Sequence, residues 1–215
     1  MTLLDFFDAC LSAGYTTAGD SADYAAVRRT EDGIPTLDLY FEHSNGFEDW
    51  KNNLNFPARA DCGEGVRFSC HRGFLQVFRS LLPTLTPLIL DADIGRIYLV
   101  GYSHGAALAT FAYEYARLLR PELLHGVRGI GFGSPRVLYG RPTPYLRALF
   151  SDFHPIRNQN DAVTHLPPRA LGYRHVNRVT VIGTGKPLSA IDAHRPEHYR
   201  AALAQNKTLD LFQNL

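Results

Sequence analysis

The sequence lacks several features that would assign it to a specialised class of protein. Its 22 Lys and Arg residues almost balance its 21 Asp and Glu residues, and the net charge is only +1. We therefore expect no nucleic-acid partner and no strong attraction to an anionic membrane. No apolar run reaches the roughly 18 residues of a transmembrane helix, so we predict no membrane span. The hydrophobic share of 45% and the charged share of 20% are those of an ordinary globular protein.

The first residues, MTLLDFFDACLSAG, also lack the basic start of a secretory signal peptide. Asp5 and Asp8 interrupt the apolar stretch. The segment therefore predicts a cytoplasmic protein, with secretion by a non-standard route as the alternative.

Cysteine is scarce and odd in number, with only Cys10, Cys62 and Cys70. Three free thiols are the expectation, and a Cys62–Cys70 disulfide in an oxidising compartment is the alternative. Cys62, Cys70 and His71 match no zinc-binding spacing and lack a fourth ligand. We therefore predict no metal site.

The chain of 215 residues shows no internal repeat and no linker, which predicts a single domain over residues 1–215. Hydrophobic periodicity alternates between strands and helices, and this pattern predicts an α/β fold with a mostly parallel sheet covered by helices on both faces. Pro83 and Pro87 are expected to break or kink the helix that contains them. The predicted helices cover 2–13, 21–29, 73–90, 104–119, 145–150 and 196–205, and the predicted strands cover 36–41, 96–100, 127–132, 153–157 and 173–182.

The most informative motif is Gly101-Tyr102-Ser103-His104-Gly105, which fits the pattern G-x-S-x-G. An apolar strand runs into the motif and an alanine-rich helix follows it. This context favours a nucleophile elbow, in which Ser103 is exposed at a strained turn beside the start of a helix. The alternative is a serine that caps the helix between two turn glycines.

A nucleophilic serine needs a base, and the base needs an acid that orients it. In α/β folds that carry such an elbow, the chain order is Ser, acid, His. A base on a loop after the last strand can be His194 or His198. Asp161 follows the strand at 153–157 and fits the acid best. Asp152 precedes that strand and Asp192 follows the last one, so both are less suitable.

Several segments beyond the elbow resemble the class 3 lipase family, the fungal-type lipases and their bacterial relatives. Phe132-Gly133-Ser134-Pro135-Arg136-Val137 is similar to the family's FGSPRVG, and His71-Arg72-Gly73-Phe74 to its H-x-G-F. Phe41-Glu42-His43-Ser44 with Asp49-Trp50 resembles FRGT…DW, but Glu42-His43 stands where the family has Arg-Gly. Asp192-Ala193-His194 with Tyr199 resembles the family's DH…Y. The resemblance extends from Thr36 to Tyr199.

The resemblance implies an α/β-hydrolase fold and a catalytic triad of Ser103, Asp161 and His194. It also implies two oxyanion donors: the backbone N–H of His104 and a group of Ser44. A lid is expected over the site. Residues 45–70 are the candidate for that lid and for transient contact with a lipid interface, and a static loop is the alternative.

We therefore expect a serine hydrolase that cleaves esters of lipids, or small esters, through an acyl-enzyme and without a cofactor. An acyltransferase or thioesterase with the same triad, and a catalytically silent binding domain, are the alternatives. Nucleotide binding through Gly129, Gly131 and Gly133 is disfavoured because their spacing is not G-x-G-x-x-G.

Overall fold

The computed structural model describes residues 1–18, 22–42, 59–60 and 67–206. Within these ranges, seven strands form one sheet in the order β1-β2-β3-β6-β7-β9-β11. The strands of this sheet are β1 (Thr16–Ala18), β2 (Ala22–Glu31), β3 (Ile34–Phe41), β6 (Arg96–Tyr102), β7 (Val127–Phe132), β9 (Phe153–Asn158) and β11 (Thr180–Ile182).

The five strands from β3 to β11 pair in parallel, whereas β1 and β2 add an antiparallel edge. Phe41 pairs with Gly101, and Tyr102 pairs with Phe132. The carboxyl ends of these strands therefore lie side by side, at the edge of the sheet where α/β proteins place their sites.

Four short strands form a second, antiparallel sheet in the order β10-β8-β5-β4. They are β4 (Arg59–Ala60), β5 (Cys70–His71), β8 (Leu138–Tyr139) and β10 (Tyr173–Arg174). His71 ends β5 and caps the next helix, where its Nδ1 accepts the N–H of Phe74 at 3.4 Å.

Helices cover both faces of the main sheet. Leu37, Leu39 and Ile97 point to one face, where α2 (Arg72–Ile89), α3 (His104–Leu119) and α4 (Pro144–Leu149) pack. Tyr40, Tyr98 and their neighbours point to the other, against α1 (Leu3–Ser12) and α5 (Pro196–Gln205). This alternation along the strands confirms the predicted mostly parallel sheet between two helical layers. In the described ranges, no helix has both the length and the apolar character that a membrane span requires.

The helix predicted over residues 21–29 is wrong, because residues 22–29 belong to β2; residue 21 lies outside the described residues. Asp32 and Gly33 have φ angles of 54° and 78° and connect β2 to β3. Two central residues with positive φ make the tight turn that suits a β-hairpin, and Asp-Gly is a typical sequence for it. The hairpin fixes β2 beside β3 over eight residue pairs, and this pairing overrides the helical periodicity.

Two further predictions on local structure need correction. The helix α2 continues through Pro83 and Pro87 to Ile89, so neither proline breaks it; that they kink it stays a prediction. The single strand predicted over 173–182 is divided between β10 in the second sheet and β11 in the main one. Asn177 lies between them and donates hydrogen bonds to the carbonyls of Phe150 and Phe153 at 2.8 and 3.0 Å, which holds the chain where it changes sheets.

Candidate active site

Ser103 occupies the turn between β6 and α3 with φ 56° and ψ −118°. A residue with a side chain rarely adopts this conformation, and it costs on the order of 1–3 kcal/mol. The backbone N–H of Ser103 donates to the carbonyl of Phe132 at 2.9 Å, and Ala106 donates to the carbonyl of Ser103 at 3.1 Å. Strand and helix therefore hold the turn from both sides, as expected of a nucleophile elbow.

The two glycines of the motif are required by space. A Cβ on Gly101 would lie 2.1 Å from the carbonyl oxygen of Gly105. A Cβ on Gly105 would lie 2.1 Å from the carbonyl oxygen of Phe41 at the end of β3. Both contacts are with backbone that cannot move aside, so only glycine allows α3 to start so close to the sheet.

His194 lies in a short turn, Asp192–His194, after β11, and its ring reaches Ser103. The Nε2 atom of His194 is 2.9 Å from Ser103 Oγ, so the two side chains are within hydrogen-bonding distance. The ring of Tyr102 stacks on the ring of His194 at 5.1 Å between centroids. The hydroxyl of Tyr102 donates to the backbone carbonyl of His194. Tyr102, the variable second residue of the motif, therefore supports both the ring and the backbone of His194.

Asp161 is completely buried and lies behind His194. Its Oδ2 is 2.8 Å from His194 Nδ1 and accepts the hydroxyl of Tyr199 at 2.6 Å. Its Oδ1 accepts the N–H of Val163 at 2.9 Å. Each carboxylate oxygen thus has a donor, which a buried carboxylate requires.

The alternatives that the sequence left open lie elsewhere. His198 is in the first turn of α5, and it is His194 that contacts Ser103. Asp152 lies before β9, at the opposite end from Asp161, and its Oδ2 is 3.7 Å from His125. Asp192 accepts the hydroxyl of Ser189 at 2.7 Å and pairs with Arg195 at 3.1 Å. The structure therefore brings together Ser103, His194 and Asp161 among the weighed candidates.

His104 is the first residue of α3, so its N–H has no acceptor within the helix and lies next to Ser103. Its ring packs against Phe74 at 5.5 Å, and burial lowers its pKa to about 4. Burial, together with the nearby His104, also lowers the pKa of His71 to about 4. Both rings are therefore neutral at pH 7 and add no positive charge to the site.

The other predicted oxyanion donor, Ser44, lies outside the described residues, as do His43 and Cys62. The same holds for the candidate lid over 45–70, apart from residues 59–60 and 67–70. Glu42 is the last described residue before this candidate lid. Burial, and then a hydrogen bond and the negative charge of Asp23, raise its pKa to about 7.

Gly133, Tyr199 and Asn158 also contribute to this geometry, and no sequence motif predicted their roles. Gly133 has φ 59°, and a Cβ there would lie 2.9 Å from His194 Cε1 and 3.3 Å from Asp161 Oδ2. The hydroxyl of Tyr199 also accepts the N–H of Asn158 at 3.0 Å, and Asn158 Nδ2 donates to the carbonyl of Ala193 at 3.0 Å. Gly133 and Tyr199 both stand in the segments that carry the family resemblance, but no role could be assigned from spacing alone.

The described residues contain no group of three or more His, Cys, Asp or Glu side chains arranged to hold a metal ion. Gly129 and Gly131, whose spacing already disfavours nucleotide binding, lie inside β7. A Cβ on Gly129 would lie 2.2 Å from the ring of Phe153. Their small size thus serves the packing of β7 against Phe153.

The fold is that of an α/β-hydrolase with a nucleophile elbow at the end of β6. Residues 39–171, more than half of the chain, match the family model described as Lipase (class 3), and the chain belongs to this family. This confirms the resemblance that the motifs indicated.

Curated relatives in the genus Malassezia cover part of the chain. A secreted mono- and diacylglycerol lipase of Malassezia globosa is 36% identical over 110 residues, which are 47% of this chain and 34% of the relative. One from Malassezia restricta is 31% identical over 112 residues, 49% of this chain and 35% of the relative. The match thus spans about a third of the length of these curated relatives.

Solved fungal lipases share the fold at lower identity. The triacylglyceride lipase of Rhizomucor miehei superposes with a TM-score of 0.64 at 21% identity, over 78% of this chain and 64% of its own. The mono- and diacylglycerol lipase of Aspergillus oryzae gives a TM-score of 0.61 at 20% identity, over 83% of this chain and 66% of its own.

The expectation of a cytoplasmic protein is wrong. That expectation rests on the weak signal-peptide character of the first residues. The Malassezia relatives are named as secreted lipases, and this finding contradicts a cytoplasmic location. The physical reason for the error is that the apolar residues of this segment belong to a packed helix. Phe6 and Phe7 of α1 are buried against the sheet, so their pattern reflects core packing and carries no information on export.

Proposed function

We propose that this protein hydrolyses carboxylic esters of lipids, with Ser103 as nucleophile, His194 as general base and Asp161 as the acid that orients the base. The observation that carries the proposal is the unbroken chain of contacts from Ser103 Oγ to His194 Nε2 at 2.9 Å and from His194 Nδ1 to Asp161 Oδ2 at 2.8 Å. Family membership supports the same chemistry.

In the first half-reaction, Ser103 Oγ attacks the ester carbonyl while His194 Nε2 takes the hydroxyl proton. The buried carboxylate of Asp161 fixes the Nδ1–H tautomer of His194 and stabilises the imidazolium that forms. His194 then returns the proton to the departing alcohol, and Ser103 is left as an acyl ester. Water repeats the sequence with His194 as base and releases the carboxylic acid.

The negative charge on the tetrahedral intermediate needs donors that are already in place. The N–H of His104, at the positive end of α3, is the first donor that we propose. Ser44 is proposed as the second on the basis of the family resemblance. Alanine keeps the backbone N–H of position 44 and removes only the hydroxyl. Replacing Ser44 with alanine is therefore expected to reduce kcat by about 10²–10³, the usual effect of losing one oxyanion donor, where the hydroxyl is that donor, and to leave kcat unchanged where the N–H is.

Lipid esters are the proposed substrates because the Malassezia relatives are named as mono- and diacylglycerol lipases. For the same reason we propose that the protein acts outside the cell. A glyceride emulsion and a series of p-nitrophenyl esters of increasing chain length, assayed below and above the solubility limit, distinguish a lipase from an esterase. A lipase gains activity above that limit, and an esterase follows a smooth curve.

The decisive variant is Ser103→Ala, which is expected to remove nearly all ester hydrolysis and all labelling by a fluorophosphonate. Ser80→Ala is the matched control, since Ser80 lies on α2 and its hydroxyl donates to the carbonyl of Val77 at 2.7 Å. Unchanged hydrolysis by folded Ser103→Ala protein would refute the assignment. Failure of the unmodified protein to react with the probe would favour a silent binding domain.

A further inference from the structure

A strongly basic pocket lies beside the candidate active site but contains none of its three central residues. It has a volume of about 590 Å³ and opens between β10, β9 and the segment around Arg136. Pro142, Val176 and Val179 supply apolar wall. Burial lowers the pKa of His165 and His175, so both lining histidines are neutral at pH 7. The cations of the lining are six arginines: Arg136, Arg147, Arg157, Arg169, Arg174 and Arg178.

The positive charge of this pocket is not balanced by protein carboxylates. Among the described residues, no Asp or Glu side chain lines it, and none of its six arginines makes an ion pair. The whole chain has 22 Lys and Arg residues and a net charge of +1. More than a quarter of these cations therefore converge on one concave space in an otherwise neutral protein.

His165 shows that the pocket has more donors than acceptors. Its Nδ1 lies 3.3 Å from a guanidinium nitrogen of Arg136, and its Nε2 lies 3.3 Å from one of Arg157. A neutral imidazole has one acceptor nitrogen and one N–H, so it can accept from only one of the two arginines. The Nε of Arg157 is buried and has no hydrogen-bond partner in the described structure.

Arg136 lies within the same excess of positive charge. Only 7% of its surface is exposed, and it donates to the carbonyls of His165 and Pro167 at 2.6 and 3.1 Å. Burial, together with the charges of Arg169, Arg174 and Arg157, lowers its pKa to about 10. Clustering cations without an anion is unfavourable, so a bound anion would relieve repulsion and take up the spare donors.

We propose that this pocket binds a phosphoryl group, as carried by inorganic phosphate or by a lipid headgroup with a phosphate monoester. A phosphate monoester carries about −1.5 to −2 charges at pH 7 and three acceptor oxygens, more than a carboxylate offers. Arginine pairs with such oxygens through two parallel N–H groups. The volume of about 590 Å³ also falls within the range of small-molecule sites, so the phosphoryl group can carry an organic substituent.

The first test is titration calorimetry of the full chain with inorganic phosphate at low ionic strength. Saturable binding is expected, weakening as salt is added. Arg157→Gln, and the double change of the exposed Arg169 and Arg178 to Gln, are each expected to weaken binding about tenfold or more. Arg200→Gln is the matched control, because it removes one positive charge from α5, where Arg200 pairs with Asp8 at 3.0 Å.

The second test distinguishes the two sources of the phosphoryl group. Phosphatidylcholine vesicles containing phosphatidic acid are compared with vesicles containing phosphatidylserine at equal negative charge. Selective recruitment to phosphatidic acid that Arg157→Gln abolishes supports a lipid headgroup, whereas binding of free phosphate without recruitment supports a soluble ligand.

The proposal is overturned if neither free phosphate nor phosphatidic acid binds the unmodified protein. It is also overturned if both pocket variants bind like the Arg200→Gln control. The double change of Arg169 and Arg178 to Gln still tests the proposal if Arg157→Gln fails to fold. Because binding is measured directly, the outcome does not depend on whether the protein hydrolyses esters.

Discussion

Replacing Gly133 with alanine tests whether the position of His194 is set by the space that a missing side chain leaves. The new Cβ would lie 2.9 Å from Cε1 and 3.1 Å from Nδ1 of His194, and 3.3 Å from Asp161 Oδ2. Carbon atoms prefer about 3.5–4.0 Å, so the ring must move by roughly 0.5 Å. Displacements of 1 Å can cost about 10²-fold in rate, and we expect kcat to fall about tenfold or more.

The backbone contributes a separate cost, because Gly133 has φ 59°. An L-residue in this region loses about 1–2 kcal/mol, which lowers Tm by about 2–4 °C for each kcal/mol in a protein of this size. Gly33→Ala is the matched control: φ is 78° and nothing lies within 4 Å of the added Cβ. Both variants should lose similar stability in thermal unfolding, but only Gly133→Ala should lose esterase activity. Equal activity of the two folded variants would refute the reasoning.

Two further predictions concern buried groups. Tyr199→Phe removes a donor to Asp161, so kcat is expected to fall about tenfold with little change in KM, along with about 1–3 kcal/mol of stability. Tyr113→Phe, which removes a buried hydroxyl that donates to the Leu149 carbonyl at 3.1 Å, should lose stability without a fall in kcat. A similar fall of kcat in both variants would argue against a positioning role for Tyr199. Burial raises the pKa of Glu114 to about 7 from 4.5, so the folded state holds a proton that the unfolded state releases. Stability should therefore fall by up to about 3 kcal/mol as pH rises from 4.5 through 7, and urea unfolding of Glu114→Gln should lack this part of the pH dependence.

Much of the fold could be predicted because local pattern and tertiary packing agree. His104–Leu119 and Val127–Phe132 have the predicted bounds, since an alanine-rich helix and a short apolar strand each have one stable environment in an α/β layer structure. The prediction for residues 22–29 was wrong because the spacing of their apolar residues is also compatible with a helix. Residues 22–31 form a strand because they pair with β3 through the Asp32-Gly33 turn. That the chain forms one domain stays a prediction.

In the candidate site, the reactive residues could be predicted from the sequence, whereas the residues that support them could not. Residue type, chain order and family resemblance selected Ser103, Asp161 and His194, since each carries a reactive group whose need for a partner can be reasoned from chemistry. Tyr102 and Gly133 act through contacts with residues far along the chain, and sequence spacing does not report such contacts.

The basic pocket and the candidate triad share parts of the backbone, although they contain different side chains. Gly133 lies against His194, and Arg136, three residues further on, lines the pocket. Asp161 contacts His194, and the turn Val163–His165 that follows leads to the imidazole shared by two arginines. Neutralising the pocket would relax repulsion on both connecting segments, and these segments also set the position of the carboxylate and the imidazole. If phosphate binds, its effect on the rate of ester hydrolysis should therefore disappear in the Arg169 and Arg178 double variant, whereas a direct competition with substrate at Ser103 would persist there.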